Sequence, residues 1–479
     1  MTPQCPQVSW ASIRKPRSVP RVTIDMVPDV ALLVIFEFYL HGRERTWYKL
    51  VHVCRNWRYV AFGSPSRLDL RLYCTARSPV MKSLDVWPSL PIVIDMVNFR
   101  RTPDTDNINA ALKHNDRICQ LKLSLLSLSS ISKGKLFATM QQPFPALTLL
   151  ELKHGDGIAS VDANSFLGGS APPHLQSLYF FEIPIPGLPK LLLSATHLVR
   201  LSLLKIPHSG YFPPEAMVTC LSVLTMLETL AIGFRSPLSR PDRRYPPPRT
   251  RTILPVLTVL YLDGISEYLE AFVARIDTPL LDKLDISFFH QLLFDTPQLA
   301  LFISRTPKFQ TPDKLEARVC FPFVNASISA LDRKLKMTIS CRESDWQLSS
   351  LAQVCSSSFP RALISTVEHL YIEEYHNNNR YNIGDIESNQ WLEFLRPFTA
   401  VKHLYITPKS TPGIATALQD LVAETVTEVL PALQTIFLER IPSEPIQEAI
   451  QEAIEQFAVA RQLFSRPINV SRCGREGFR

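Results

Sequence analysis

The chain has 479 residues, 46% of them hydrophobic, which is more than one ordinary core organises, so two or more domains or one elongated array are expected. A net charge of +7 is modest for this length and does not by itself imply nucleic acid, and no apolar run approaches the ~18 residues that span a bilayer. Nine scattered cysteines without a C-x-x-C pair read as reduced thiols, and no signal-peptide core precedes Pro28, so the expected compartment is the cytoplasm, the nucleus or both.

Residues 1–21 carry Arg14, Lys15, Arg17 and Arg21 among prolines and small residues, without apolar periodicity, and read as a disordered basic tail. Order is expected from near Ile24. Val27-Pro28-Asp29 opens a helix on which Leu32, Ile35, Phe36 and Tyr39 fall at i, i+3, i+4 and i+7. After Gly42 and Arg43-Glu44-Arg45 the spacing returns in Leu50, Val53, Cys54 and Trp57. Helices this short are marginal alone and need an apolar surface to cover their stripes. Periodicity leaves two readings open: the pair caps whatever follows, or part of its apolar surface meets a partner.

Motif content discriminates between them. The stretch Val27-Pro28-Asp29-Val30-Ala31-Leu32-Leu33-Val34-Ile35-Phe36 followed by Leu50-Val51-His52-Val53-Cys54-Arg55-Asn56-Trp57-Arg58 resembles the F-box, whose pattern is a Leu-Pro start, an Ile-Phe helix and a V-C-[RK]-x-W-[RK] helix. The likeness continues through Phe62-Gly63-Ser64-Pro65, Arg67 to Leu72 and Leu84 to Pro88, and is to a large group of fungal F-box proteins. Val27 replaces the usual leucine, and Val30 stands where such sequences commonly carry an acid. The resemblance implies a three-helix unit over 22–66 that docks on the Skp-type adaptor of a cullin-RING ubiquitin ligase. Carried over by position, Val27, Pro28, Leu32, Ile35, Phe36, Val53, Cys54 and Trp57 would supply the adaptor-binding residues, some of them instead holding the three helices together.

Downstream, Arg67 to Tyr73 alternates apolar and polar, Pro91 to Asp95 is a short apolar run, and Asp106 to Leu112 begins a helix with Asp106 as its cap. Then L-x-x-L-x-L recurs: Ile118/Leu121/Leu123, Leu147/Leu150/Leu152, Leu175/Leu178/Phe180, Leu198/Leu201/Leu203, Leu227/Leu230/Ile232, Leu257/Leu260/Leu262 and Leu281/Leu284/Ile286. Their first positions are spaced by 29, 28, 23, 29, 30 and 24 residues, in or near the leucine-rich-repeat range. Val367/Leu370/Ile372, Val401/Leu404/Ile406 and Leu433/Ile436/Leu438 resume the series. Each unit should be a strand with a returning helix, and stacked units bury one core that no unit has alone. Where leucine-rich repeats commonly place an Asn or Cys after the strand, this chain has Ile183, Ile206, Ile265 and Ile441, so the turns must satisfy their backbone groups otherwise. Between Leu281 and Val367 only Leu315/Ala317/Val319 and Leu335/Met337/Ile339 hint at strands.

Two inserts interrupt the series. Residues 235–252 hold six arginines among five prolines and read as an extended basic loop, in which Arg240, Arg243, Arg244 and Arg249 are candidates for gripping an acidic or phosphorylated target, with a merely solvated loop as the alternative. Residues 373–390, rich in Asn and acids, form the second. Ser443 and Pro445 open a capping helix with Ile446, Ile450, Ile454 and Phe457 on one stripe and Gln447, Glu448, Gln451 and Glu452 outside, and the tail from Arg472 should fray.

No G-x-x-x-x-G-K-[ST], G-x-S-x-G or H-E-x-x-H motif occurs, and His174, His197, His369 and His403 read as outward-facing strand neighbours. No enzyme activity, cofactor, metal or membrane contact is expected. The expected fold is α/β: a three-helix F-box at 22–66, an irregular leucine-rich-repeat solenoid of parallel strands with outer helices at 67–441, and a C-terminal cap and tail at 442–479. The implied function is the substrate-recognition adaptor of an SCF-type (Skp-cullin-F-box) ligase acting in ubiquitin-dependent degradation of a protein target. A leucine-rich interaction scaffold and an F-box protein without a role in degradation are the alternatives.

Overall fold

The structure, a computed structural model, describes residues 27–42, 44–75, 84, 86–97, 105–126, 130–154, 162, 164–238, 250–289, 294–310, 316–321, 325–330, 334–340, 344–374, 387–407, 410–421, 425–439 and 444–473. The chain divides into two compact units, one of residues 1–73 and 80–92, the other of 74–79 and 93–479. The basic tail and the arginines at 240, 243, 244 and 249 lie outside the described residues.

In the first unit α1 (Asp29–Leu40), α2 (Tyr48–Val51) and α3 (Arg55–Gly63) follow one another. The stripe expected at Leu32, Ile35, Phe36 and Tyr39 is rotated: Leu32, Phe36 and Leu40 are buried, while Ile35 faces outward. The second expected helix is broken in two. Cys54 is extended and caps α3, its Sγ accepting from the Trp57 N–H at 3.4 Å, so Val53 sits in the break and not on a helical face. Behind the helices Trp47 is buried, with Trp87 and Phe62 at ring-centroid distances of 5.4 and 6.0 Å, and its Nε1 donates to the Arg71 carbonyl at 2.7 Å. These rings form the apolar centre of a unit too small for a large core.

Two short strands, β1 (Leu72–Cys74) and β2 (Ile92–Met96), fall where the sequence passes between units. The second unit then alternates strands and helices: α4 (Thr105–Leu112), β3 (Ile118–Ser124), α5 (Ser130–Thr139), β4 (Leu149–Lys153), β5 (Ser177–Phe181), α6 (Leu188–Leu192), β6 (Arg200–Ile206), α7 (Pro214–Leu221) and β7 (Thr229–Phe234). It continues through β8 (Thr252–Ile253), β9 (Val259–Gly264), α8 (Ser266–Val273), β10 (Ile276–Asp277), β11 (Lys283–Phe289), α9 (Pro297–Arg305), α10 (Pro307–Gln310), β12 (Glu316–Phe321), β13 (Asn325–Ala330) and β14 (Leu335–Ser340). It ends with α11 (Ser344–Ser358), α12 (Arg361–Ile364), β15 (His369–Glu374), α13 (Ser388–Leu395), β16 (His403–Ile406), α14 (Thr411–Gln419), α15 (Thr425–Glu428), β17 (Thr435–Glu439), α16 (Glu444–Leu463) and β18 (Asn469–Cys473). Several prolines that punctuate the sequence sit in the first turns of α6, α7, α9 and α14, where the missing N–H costs nothing.

One sheet takes the strands in the order β2-β3-β4-β5-β6-β7-β9-β11-β14-β13-β12-β15-β16-β17-β18. Its register confirms the sequence repeat: Leu121 pairs with Leu150, Leu150 with Leu178, Leu178 with Leu201, Leu201 with Leu230, and Leu230 with Leu260, all parallel. Leu370, Leu404 and Ile436 align in the same way. Every one of these side chains is 2% exposed or less, so equivalent positions stack into one apolar row that no single strand could bury. The second unit is a leucine-rich-repeat-like array of mixed α/β type.

Three features depart from expectation. Between β11 and β15 the chain inserts a meander in which β13 runs antiparallel to both neighbours, while β14 pairs parallel with β11 and β12 parallel with β15. The apolar row nevertheless continues, since Ile328 lies opposite Val319 and Met337. Second, α16 buries Ile450, Ile454 and Phe457, but the chain then adds β18 beside β17, so Arg472, expected to fray, is a strand residue. Third, Asp106 lies inside the first turn of α4 and is not its cap, and the second insert is shorter than 373–390, because β15 runs to Glu374 and α13 starts at Ser388.

Ile183, Ile206 and Ile265 are buried where an asparagine would stand, and the backbone supplies the missing ladder. At these ends of the strands the Phe181 carbonyl accepts from the His154 N–H, that of Leu204 from Glu182 and that of Ile206 from Arg235, each at 2.9 Å. Glu182 and Lys205 adopt left-handed φ of 58° and 52°, which turns the following isoleucine back to the interior.

Candidate protein-interaction surfaces

The first surface is α1. Its sequence is apolar almost all round, with Asp29 and Glu37 as its charged residues. Leu32, Phe36 and Leu40 occupy the inward side, and Phe36 meets the half-buried Trp57 ring at 4.9 Å. The outward side carries Val30, Val34, Ile35 and Phe38, the last 80% exposed, and Val53 and Tyr59 are exposed elsewhere on the unit. A helix apolar on both sides is adapted to be covered on both. Glu37 pairs with Arg67 at 2.5 Å, and the hydrogen bond from that guanidinium holds its carboxyl below the usual range.

Of the residues proposed from sequence, Pro28, Ile35 and Val53 are exposed and Val27, Cys54 and Trp57 partly so. Leu32 and Phe36 are fully buried within the unit and act by holding α1 against its neighbours, which removes them from the outward face. Cys54 acts through its cap. Sequence reasoning missed Val34, Phe38 and Tyr59, although for the first two the apolar residues on either side of Glu37 in α1 carried the signal.

The second surface is the sheet face away from the apolar row, formed by the middle residue of each L-x-L. Near its start Lys153 sits 2.8 Å from Glu151 and 5.2 Å over the Tyr179 ring. Further along, Lys205 lies 3.1 Å from Asp263, yet burial raises the Asp263 carboxyl, and burial also pushes Tyr261 up to about 12. Towards the C-terminal end the side chains become aromatic. Tyr371 and Tyr405 stack at 4.2 Å with an interplanar angle of 9°, and Tyr405 and Phe437 at 4.6 Å with 8°. Arg318 lies 4.0 Å from the Tyr371 centroid and 2.5 Å from Glu373. The His369 and His403 rings lie 4.7 Å apart, tilted by 35°, and burial followed by the neighbouring His369 holds His403 below its ordinary value of 6.5. His174 and His197 are exposed.

On the helical side a cleft of about 550 Å³ is lined by Cys355, Arg361, Glu393 and Arg396 among others. Burial pushes the Cys355 thiol up. Among the described residues no group of three or more His, Cys, Asp and Glu is placed to hold a metal.

No protein-family model matches the chain, and no curated protein matches it. Among solved structures it is similar to the leucine-rich repeat-containing protein LegL7 from Legionella pneumophila, at 16% identity over 75% of this chain and 95% of that one, with a TM-score of 0.25. The array described above stands on its own strand register.

Proposed function

We propose that this chain is the target-selecting adaptor of an SCF-type ubiquitin ligase, its first unit binding a Skp-type adaptor and its repeat array holding a protein target. The supporting observation is the outward apolar side of α1, with Val30, Val34, Ile35 and Phe38 bare beside a fully apolar inward side. A partner that covers this face recovers hydrophobic free energy that the unit alone leaves unused. The F-box-like motif names the partner class. In this reading no residue performs bond chemistry: holding a target beside the transfer machinery raises its effective concentration, and other subunits move the ubiquitin. The chain would work in the cytoplasm or nucleus, where those subunits are.

The test is capture of a purified Skp-type adaptor by the full chain. The intact chain should retain it, and Ile35→Asp combined with Phe38→Asp should release it while the circular dichroism spectrum stays unchanged. Failure of the intact chain to bind, or binding indifferent to the double substitution, overturns this reading and leaves a leucine-rich interaction scaffold.

A further inference from the structure

The cleft on the helical side of the second unit has no part in the adaptor reading. At about 550 Å³ it has the size of a small-molecule site. Its walls are α11, α12 and the C-terminal end of α13 with the residues that follow it. Towards it α11 presents Ser349, Ala352 and Ser356, at i, i+3 and i+7, and side chains this small leave the space unfilled. The floor is apolar, with Ala352, Cys355 and Ile364 all buried. The rim is polar: Arg361, Glu393, Arg396 and Thr399 are exposed, and among the described residues none of these four side chains is engaged in an ion pair or a hydrogen bond. A lone exposed arginine is a solvated side chain, whereas here two guanidiniums and a hydroxyl border one concave space over a buried apolar floor.

We propose that this cleft binds a small organic phosphate, its single phosphate group held by Arg361, Arg396 and Thr399 and a compact apolar body lying against Ala352, Cys355 and Ile364. Adaptor docking belongs to the other unit and is independent of this site. The donor set selects the head group. A carboxylate has two oxygens, which one guanidinium takes up as a fork, whereas a phosphomonoester presents three terminal oxygens to two guanidiniums and a hydroxyl. Glu393 on the same rim leaves one net positive charge, which suits one phosphate and opposes a polyanion. Walls on three sides suit a compact ligand better than an extended chain.

The test uses the full chain and naphthyl phosphate, whose own fluorescence reports binding by anisotropy. Its counterparts are naphthalenemethanol, which keeps the ring and loses the charge, and a heptapeptide with one phosphoserine among glycines, which keeps the phosphate and loses the apolar body and is read by competition. Naphthyl phosphate should bind about tenfold or more tightly than either. Arg361→Gln and Arg396→Gln should each weaken it about tenfold, the scale of a charge-assisted hydrogen bond, and both residues are exposed, so the fold should be unaffected. Ala352→Leu, which carries a larger side chain into the cleft and leaves both arginines in place, should abolish binding. Glu393→Gln should strengthen it severalfold, because a like charge leaves the rim, a gain that damage to the fold does not produce. Absence of naphthyl phosphate binding, wild-type affinity in both arginine variants, or weaker binding in Glu393→Gln overturns the proposal. Equal binding of the phosphopeptide overturns the assignment to a small molecule.

Discussion

Phe36 and Phe38 stand two residues apart on α1, one fully buried against Trp57 and the other 80% exposed, and they separate stability from binding. Truncating a buried phenylalanine costs about 3–5 kcal/mol through lost transfer energy and the cavity left behind. Against a stability of roughly 5–15 kcal/mol for a whole domain, and less for a unit this small, Phe36→Ala should leave the first unit largely unfolded near physiological temperature. Phe38→Ala removes a side chain that is already in water and should shift stability by no more than about 0.5 kcal/mol. If α1's outward face is the docking surface, Phe38→Ala should instead weaken adaptor binding by about 2 kcal/mol, near thirtyfold, as a central aromatic anchor does. Urea denaturation followed by tryptophan fluorescence, where Trp57 reports directly on Phe36, measures the first quantity, and titration calorimetry with a Skp-type adaptor the second. Equal losses of stability in the two variants would refute the reasoning, because they would mean that the outward face is covered by the chain itself.

Three further outcomes follow from the second unit. Arg461 is fully buried, its guanidinium donating to the carbonyls of Val426, Leu430, Pro431 and Leu433 at 3.1–3.4 Å, so Arg461→Leu should strand those acceptors and cost about 3 kcal/mol in urea unfolding. Gly169 has φ +81°, and a Cβ there would lie 2.6 Å from the Asn164 carbonyl oxygen, so Gly169→Ala should cost about 1–3 kcal/mol, read as a lowered melting temperature. Burial raises the Asp263 carboxyl above 3.8 despite Lys205, so the folded state holds that proton more tightly than the unfolded state does. Its contribution to stability is therefore lost as pH rises from 3.8 through the raised value, and Asp263→Asn should gain on the parent over that interval, the opposite trend counting against a net burial penalty.

Periodicity was a dependable guide wherever one residue type repeats against its own kind. The L-x-x-L-x-L segments from Ile118 to Ile286 and from Val367 to Leu438 became aligned parallel strands because identical apolar positions stack only in register. It failed at β13, where Asn325-Ala-Ser-Ile-Ser-Ala330 offers Ile328 as its lone large apolar residue and takes its strand geometry from β12 and β14 on either side. It failed again at Cys54, because i, i+3, i+4, i+7 spacing describes a continuous helix and cannot register a break that a side-chain cap creates. The aromatic ladder was present in the sequence as the middle residues of L-Y-I, L-Y-I and I-F-L, yet nothing local says that Tyr371, Tyr405 and Phe437 will be neighbours.

The sequence by itself determined the recurrence of the repeat strands, the side of each that turns inward, and the apolar character of α1's faces, since all of these depend on the order of side chains along a single chain. Which of those α1 faces stays in water, which strand lies beside which through the meander, and where a ring meets a guanidinium were decided by the tertiary structure. These depend on what each side chain finds across space, and burial and stacking acquire their free energy only once distant segments have come together.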